Sequence, residues 1–274
     1  MPELPEAETI VRDLRRRLPG ATVRAVSVSK PDILAPGTSR ARLSRTLRGR
    51  TILDVSRRAK AVVLELDGGW RLAFALGMTG RVVTSDAAAA RELQHIAARF
   101  ELDDGRALLF DDARRFGRID LRDDTAWAVR SAALGVEPLS DDFTADSFHK
   151  LAHASRSPIR NFLLDQQRVA GIGNIYANEA LHRAWVRPTR RARTLTRRET
   201  HALHGAIRDV LAEAIRSRGT TFSDYRDGEG RSGAFQFRLR VYDRQGLPCP
   251  ACGTSIRRIV RSNRSAFYCP HCQR

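Results

Sequence analysis

The chain has 274 residues, enough for one large or two modest domains with a sizeable core. Lysine and arginine number 48 against 31 aspartate and glutamate, a net charge of +17 that favours a polyanionic partner, nucleic acid before an anionic membrane. The preference for arginine over lysine also fits a GC-rich genome. No run of about 18 apolar residues is present to span a membrane, and the first twenty residues lack the unbroken apolar centre of a secretion signal. The expectation is therefore a cytoplasmic protein with no membrane partner.

In chain order, the first stretch is Met1-Pro2-Glu3-Leu4-Pro5-Glu6. Removal of Met1 before a small proline leaves a free secondary amine on Pro2. An α-amino group titrates at roughly 7.7 to 8.0 against 10.4 for lysine, so a neutral, nucleophilic fraction exists near pH 7. Glu3 beside it supplies a carboxyl group for acid or base work. The plainer alternative is that Pro2 and Pro5 start a helix. Residues 5–18 do have helical periodicity, with Ala7, Ile10, Val11, Leu14 and Leu18 on one face and Pro19-Gly20 as the stop.

Short strand-like runs follow at 22–28, 51–55, 61–66, 70–76, 81–84, 98–102, 107–111 and 118–121, separated by turns such as Asp67-Gly68-Gly69. This spacing predicts a two-layer antiparallel β-sandwich. Asp86 to Ala90 reads as a loop or a single helical turn. After Pro138 helices take over: Thr144 to Ser155, then a helix capped by Ser157 with Pro158 in its first turn, then Ile175 to Arg183, then a long helix from Thr196 with Glu199 completing a capping box. Gly219 to Gly233 reads as a long flexible loop. The predicted class is α+β, with domains at 1–135, 136–235 and 236–274.

The strongest single motif is Cys249-x2-Cys252-x16-Cys269-x2-Cys272. Two CxxC pairs around a short hairpin can give four thiolates to one structural Zn²⁺, and a closed thiolate shell leaves no position for activating water. His271 is a bystander in this reading. Arg257, Arg258, Arg261 and Arg264 make the hairpin basic, suited to nucleic acid or simply solvated. Gly171-Ile172-Gly173-Asn174 opens a helix, where glycines and following amides suit an anion such as a phosphate. Arg114-Arg115-Phe116-Gly117 and Met78, flanked by Gly77 and Gly80, look like turn tips that either wedge into a base stack or pack in the core. Lys60 follows Arg57-Arg58-Ala59 and leads into an apolar strand.

Taken together and in this order, these motifs resemble the bacterial formamidopyrimidine-DNA glycosylases, bifunctional repair enzymes that excise 8-oxoguanine and ring-opened purines. The resemblance covers essentially the whole chain. It implies an N-terminal β-sandwich, a helix-two-turn-helix region and a zinc finger, acting as a monomer on double-stranded DNA containing oxidised purines, on the bacterial nucleoid. It implies Pro2 as the amine that attacks C1′, Glu3 as the acid at the sugar, Lys60 in proton transfer and phosphate contact, and Arg264 in the elimination steps. A guanidinium hardly deprotonates, so for Arg264 phosphate clamping is the easier role. His95, Arg114 and Asn174 match the family's DNA contacts, and Met78 and Phe116 its void-filling residues. Arg156 stands where the family carries a lysine-rich stretch. Two alternatives are an endonuclease VIII-like glycosylase for oxidised pyrimidines and a non-catalytic damaged-DNA-binding module. Leu4 and the Arg114 tip favour the purine-lesion branch.

Overall fold

The computed structural model describes residues 2–87, 90–91, 93–222, 225–261 and 263–274. Met1 and the Ala88-Ala89 part of the expected 86–90 bridge lie outside them. The chain forms two compact units, one of Met1–Ala133 with Ile215–Gln236, the other of Leu134–Ala214 with Phe237–Arg274.

The first unit begins with helix α1 (Leu4–Arg15), which buries Ala7, Ile10, Val11 and Leu14. It ends earlier than its periodicity suggests. Pro19 disfavours helical backbone at Leu18, and the N–H groups of Arg17 and Leu18 both turn onto the Leu14 carbonyl at 2.9 Å while Leu18 stays buried. Then come β1 (Val23–Val28), α2 (Arg40–Leu47), β2 (Ile52–Arg58), β3 (Ala61–Leu66), β4 (Trp70–Ala75), β5 (Arg81–Thr84), β6 (Ile96–Leu102), β7 (Ala107–Asp111), β8 (Arg118–Asp123) and α3 (Asp124–Ala132). The strands make two four-stranded antiparallel sheets, ordered β1-β6-β7-β5 and β2-β3-β4-β8. Phe74 of one sheet meets Phe100 and Phe110 of the other, at 5.6 and 5.8 Å between ring centres, so the predicted sandwich has its core where the two inner faces interdigitate.

Two helices were not legible as such. The first, α2, is capped by Ser39, whose Oγ accepts the Arg42 N–H at 3.1 Å, and is held down by Leu43 and Leu47. The second, α3, is capped by Asp123, which accepts from the Ala126 N–H at 2.8 Å, yet buries none of its residues fully.

The segment 215–236 belongs to the first unit because it returns to α1. The Arg218 guanidinium donates to Asp13 Oδ2 at 2.5 Å and also pairs with Asp227. Both carboxylates are buried. Burial pushes the Asp13 carboxyl up, and Arg218 offsets part of that by stabilising its ionised form.

In the second unit the elements are α4 (Ala145–His153), α5 (Ile159–Leu164), α6 (Asn174–Arg183), most of α7 (Arg197–Arg216), and the hairpin of β9 (Arg257–Arg261) with β10 (Arg264–Tyr268). Phe143, Phe148 and Phe162 are buried together, with Phe143 5.3 Å from Phe148 and Phe148 6.0 Å from Phe162. The α7 start is a capping box: Thr196 Oγ1 accepts the Glu199 N–H at 3.2 Å, and Glu199 Oε2 accepts the Thr196 N–H at 2.8 Å. The Arg190 guanidinium, with that amide, holds the Glu199 carboxyl down at about 2 against its ordinary 4.5. A depressed folded-state value contributes stability above pH 4.5 that is lost as the pH falls towards about 2. Glu199→Ala is expected to cost about 1 kcal/mol near neutral pH and to flatten the acid limb of stability over that window. Urea unfolding followed by circular dichroism at stepped pH measures both, and an unchanged acid limb would contradict the assignment.

Candidate active site and nucleic-acid contacts

The N-terminus is held in place by charge. Pro2 and Glu3 are buried, and Glu3 is the extended residue that caps α1. The Glu6 carboxylate is also buried. Its Oε2 accepts the Glu3 N–H at 2.7 Å and its Oε1 accepts the Thr220 N–H at 2.7 Å. The Tyr225 hydroxyl donates to the Glu6 carbonyl at 3.3 Å. Burial, reinforced by the Glu6 charge, pushes that phenol well above its ordinary value, so it remains a donor. Gly219 has a φ of +83°, and a Cβ there would lie 2.7 Å from Glu6 Oε1, so both backbone and space require glycine. The expected reactive terminus is thus a fixed point between α1 and the returning segment.

Lys60 is half-buried in the β2–β3 turn, after Ala59 with a φ of +52°. The turn is drawn to α1 by Arg57, which pairs with Glu8 at 3.1 Å and donates to the Ala59 carbonyl at 2.8 Å. Met78, Arg114 and Phe116 share a second construction. The 76–80 and 112–117 turns meet backbone to backbone, and a Cβ on Gly77 would lie 2.6 Å from the Gly117 nitrogen. The buried Asp112 clamps both, accepting from Thr79 Oγ1 at 2.5 Å and from the Gly117 N–H at 2.7 Å. Arg114 then stacks 4.8 Å over the Phe116 ring, while Met78 and Phe116 remain 37% and 54% exposed. His95 is exposed on a recess of about 400 Å³ that Lys30 and Arg115 also line.

Within the second unit, Asn174 is the first residue of α6. Its Oδ1 accepts from Arg160 at 2.7 and 3.2 Å, and its Nδ2 donates to the Ser265 carbonyl at 3.1 Å. Arg160 also donates to that carbonyl at 2.9 Å. Only 2% of Arg160 is exposed, and among the described residues no carboxylate pairs with it. Burial, then the charge of Arg264, lowers its affinity for its proton, although a guanidinium stays ionised at any working pH. Arg160, Arg261 and Arg264 line a recess of about 290 Å³ together with one carboxylate, Asp165, so its charge stays net positive and suits an anion. Arg160 was missed by sequence reasoning, because its partners lie 14 and 105 positions away. The Gly171 N–H, ahead of the amides expected to face an anion, is taken by Gln166 Oε1 at 2.9 Å. Arg156 is exposed between α4 and α5, away from any bond that would fix its guanidinium among the described contacts.

The cysteine sulfurs of Cys249, Cys252, Cys269 and Cys272 all lie within 4.8 Å of one another. The Cys249–Cys272 and Cys252–Cys269 separations are 4.0 and 3.4 Å. A tetrahedron of thiolates about 2.3 Å from zinc has edges of about 3.8 Å, so the set fits that ion. His271 is exposed and outside the cluster. Phe267 and Tyr268 are buried under the hairpin, whereas Arg257, Arg258, Arg261 and Arg264 face solvent. The buried Glu179 carboxylate joins finger to helix, accepting the backbone N–H groups of Arg240, Val241 and Tyr242 at 2.9, 3.0 and 2.8 Å, against a burial cost that pushes its carboxyl up.

Family models agree with this layout in order. Residues 1–119 match the formamidopyrimidine-DNA glycosylase N-terminal domain, 134–226 its H2TH domain, and 246–274 a zinc finger found in FPG and IleRS. The chain belongs to the formamidopyrimidine-DNA glycosylase family. It is 46% identical to the formamidopyrimidine-DNA glycosylase of Chloroflexus aggregans, covering 100% of this chain and 98% of that one. It is 43% identical to that of Desulforamulus reducens, covering 100% and 99%. Among solved structures, the MutM (FPG) protein of Thermus thermophilus superposes with a TM-score of 0.87 at 42% identity, over 99% of this chain and 98% of that one. Lactococcus lactis Fpg in complex with abasic-site DNA gives 0.89 at 31% identity, over 99% of each.

In this glycosylase family member the finger has a small core of its own around Val241, Ile256 and Phe267, so the metal carries much of its order. Removing zinc with a chelator, or Cys249→Ser, is expected to weaken binding to lesion DNA at least about ten-fold. Fluorescence anisotropy on labelled duplex measures it, and unchanged affinity after verified metal loss would refute a role for the finger.

Proposed function

We propose that Pro2, freed by removal of Met1, is the nucleophile of a DNA glycosylase and abasic-site lyase of base-excision repair. The protein acts on oxidised purines, 8-oxoguanine and formamidopyrimidines. The observation that carries this reading is the burial of Pro2 and Glu3 at the electropositive start of α1, fixed by Glu6 rather than left as a frayed tail.

The Pro2 nitrogen forms a bond to C1′ of the damaged nucleotide as the glycosidic bond breaks and the base leaves with a proton. Glu3 supplies the acid at the sugar, which assists ring opening to the iminium. The iminium acidifies the C2′ proton, and its loss expels the 3′ phosphate; a second elimination expels the 5′ phosphate and leaves a one-nucleotide gap. Lys60 assists proton transfer and contacts phosphate. Met78, Arg114 and Phe116 fill the space left by the extruded nucleotide, and His95, Arg156 and Asn174 hold the backbone. Arg264 clamps phosphate. The structural zinc supplies no water activation, because four thiolates close its shell. Along the chain we divide the functions at 1–135, 136–235 and 236–274, although 215–236 packs within the first compact unit. We place the protein in the bacterial cytoplasm on nucleoid DNA; no helix among the described residues is long and apolar enough to cross a membrane.

One observation favours a wider lesion range. The L. lactis FPG, 30% identical over 100% of each chain, has been crystallised with DNA containing an oxidized pyrimidine. Parallel cleavage of 8-oxoguanine and oxidised-thymine duplexes ranks the two, and preference for the pyrimidine would displace the purine assignment.

Borohydride reduction during reaction is expected to trap a covalent DNA adduct on Pro2, located by peptide mapping. Pro2→Gly is expected to lower excision by at least about a thousand-fold, and protein retaining Met1 should be similarly inert. Full cleavage by Met1-retaining protein would sink the assignment. For the phosphate recess, Arg160→Met is expected to reduce the slope of log affinity against log salt by about 0.9, the loss of one neutralised phosphate. An unchanged slope would remove Arg160 from the DNA contact.

A further inference from the structure

One buried group on α6 has no place in the mechanism. His182 is 2% exposed, and its Nε2 lies 3.4 Å from Cys249 Sγ. Its Nδ1 has no hydrogen-bond partner among the described residues. With zinc bound, Cys249 is a thiolate and has no proton to give, so the hydrogen in this contact must come from the ring. That makes Nε2 the N–H and leaves Nδ1 as a bare acceptor, which is the tolerable arrangement, since a buried N–H with nothing to accept it is the rarer defect in folded proteins.

The geometry points to His182 as a positioning residue of the zinc centre: its Nε2–H donates to the Cys249 thiolate and fastens the metal module to α6. Two further observations place this bond in a larger construction. Asn174, Asn178 and His182 are spaced by four, so they form one stripe along α6. All three reach the finger: Asn174 Nδ2 donates to the Ser265 carbonyl at 3.1 Å, Asn178 Oδ1 accepts the Phe267 N–H at 2.8 Å, and His182 meets Cys249. The stripe therefore runs from the phosphate-side residue at one end of the helix to the metal shell at the other. Four thiolates around Zn²⁺ carry a net charge of −2, and an N–H donated to one sulfur draws part of that charge away and fixes the direction of its lone pairs.

The test needs no variant to begin with. In protein substituted with ¹¹³Cd and labelled with ¹⁵N-histidine, a scalar correlation between the cadmium and the His182 Nε2 proton is expected across the N–H···S bond. Its absence, with the other cadmium–cysteine correlations present, overturns the proposal. His182→Phe keeps the ring and removes the donor, and is expected to release zinc to a competing chelator about ten-fold faster. His182→Gln keeps a donor and is expected to restore most of the wild-type rate. Equal release by wild type and His182→Phe overturns the proposal, as does a Gln variant no slower than Phe. If the Phe variant fails to fold, the cadmium correlation in the wild-type protein still decides.

Discussion

The Glu6 carboxylate is the constraint on which the first unit depends. A buried charge is expensive unless its lone pairs are filled, and Glu6 fills two of them with backbone amides far apart in sequence, those of Glu3 and Thr220. The amide of Glu3 sets where the chain's beginning lies. The amide of Thr220 sets where the 217–236 segment returns. One side chain thus ties the two, and removing it would take from both amides the buried carboxylate they share. The remaining features of the segment follow: Gly219 is glycine because Glu6 occupies the space of a side chain, Tyr225 reaches the Glu6 carbonyl, and Arg218 bridges Asp13 and Asp227.

The second unit uses the same device with a different carboxylate. Glu179 commits its two oxygens to three consecutive amides at the entrance to the finger, and Asn178 beside it takes the amide of Phe267. The finger's own apolar core is too small to order it, so its position comes from polar contacts with α6 on one side and four cysteines on the other. Arg160 is a buried ion whose acceptors are the neutral oxygens of Asn174 and Ser265. A cation buried against neutral acceptors gains from an incoming phosphate what a carboxylate partner would already have supplied.

What could be read from sequence was what local chemistry determines. The strands at 61–66, 81–84 and 107–111 lie where alternation and turn residues put them, and the cysteine pairs declared their metal by spacing. The helix α3 escaped because a helix with no fully buried residue has no clear apolar stripe, and α2 because its Leu43 and Leu47 are outnumbered by arginines. The segment Gly219 to Gly233 reads as flexible from its glycines and charges. Yet Thr220 and Tyr225 within it are both hydrogen-bonded to Glu6, which lies more than 200 positions earlier and cannot be inferred from composition. Arg160 escaped for the same reason. In the site as in the fold, residue type was legible and long-range pairing was not.

The paired turns around Asp112 show why rigidity matters most where apolar side chains face water. An exposed Met78 or Phe116 on a pliable loop would collapse onto the nearest apolar surface and hide from solvent. Here that collapse is blocked: Gly77 and Gly117 bring two backbones into contact, Asp112 accepts from both turns, and the Arg114 guanidinium covers one face of the Phe116 ring. The cost of ordering these side chains therefore falls on folding of the sandwich and not on binding. In the proposed void-filling role, a tip whose backbone is already fixed would lose less freedom on entering a base stack, leaving the unstacking of the DNA as the larger cost.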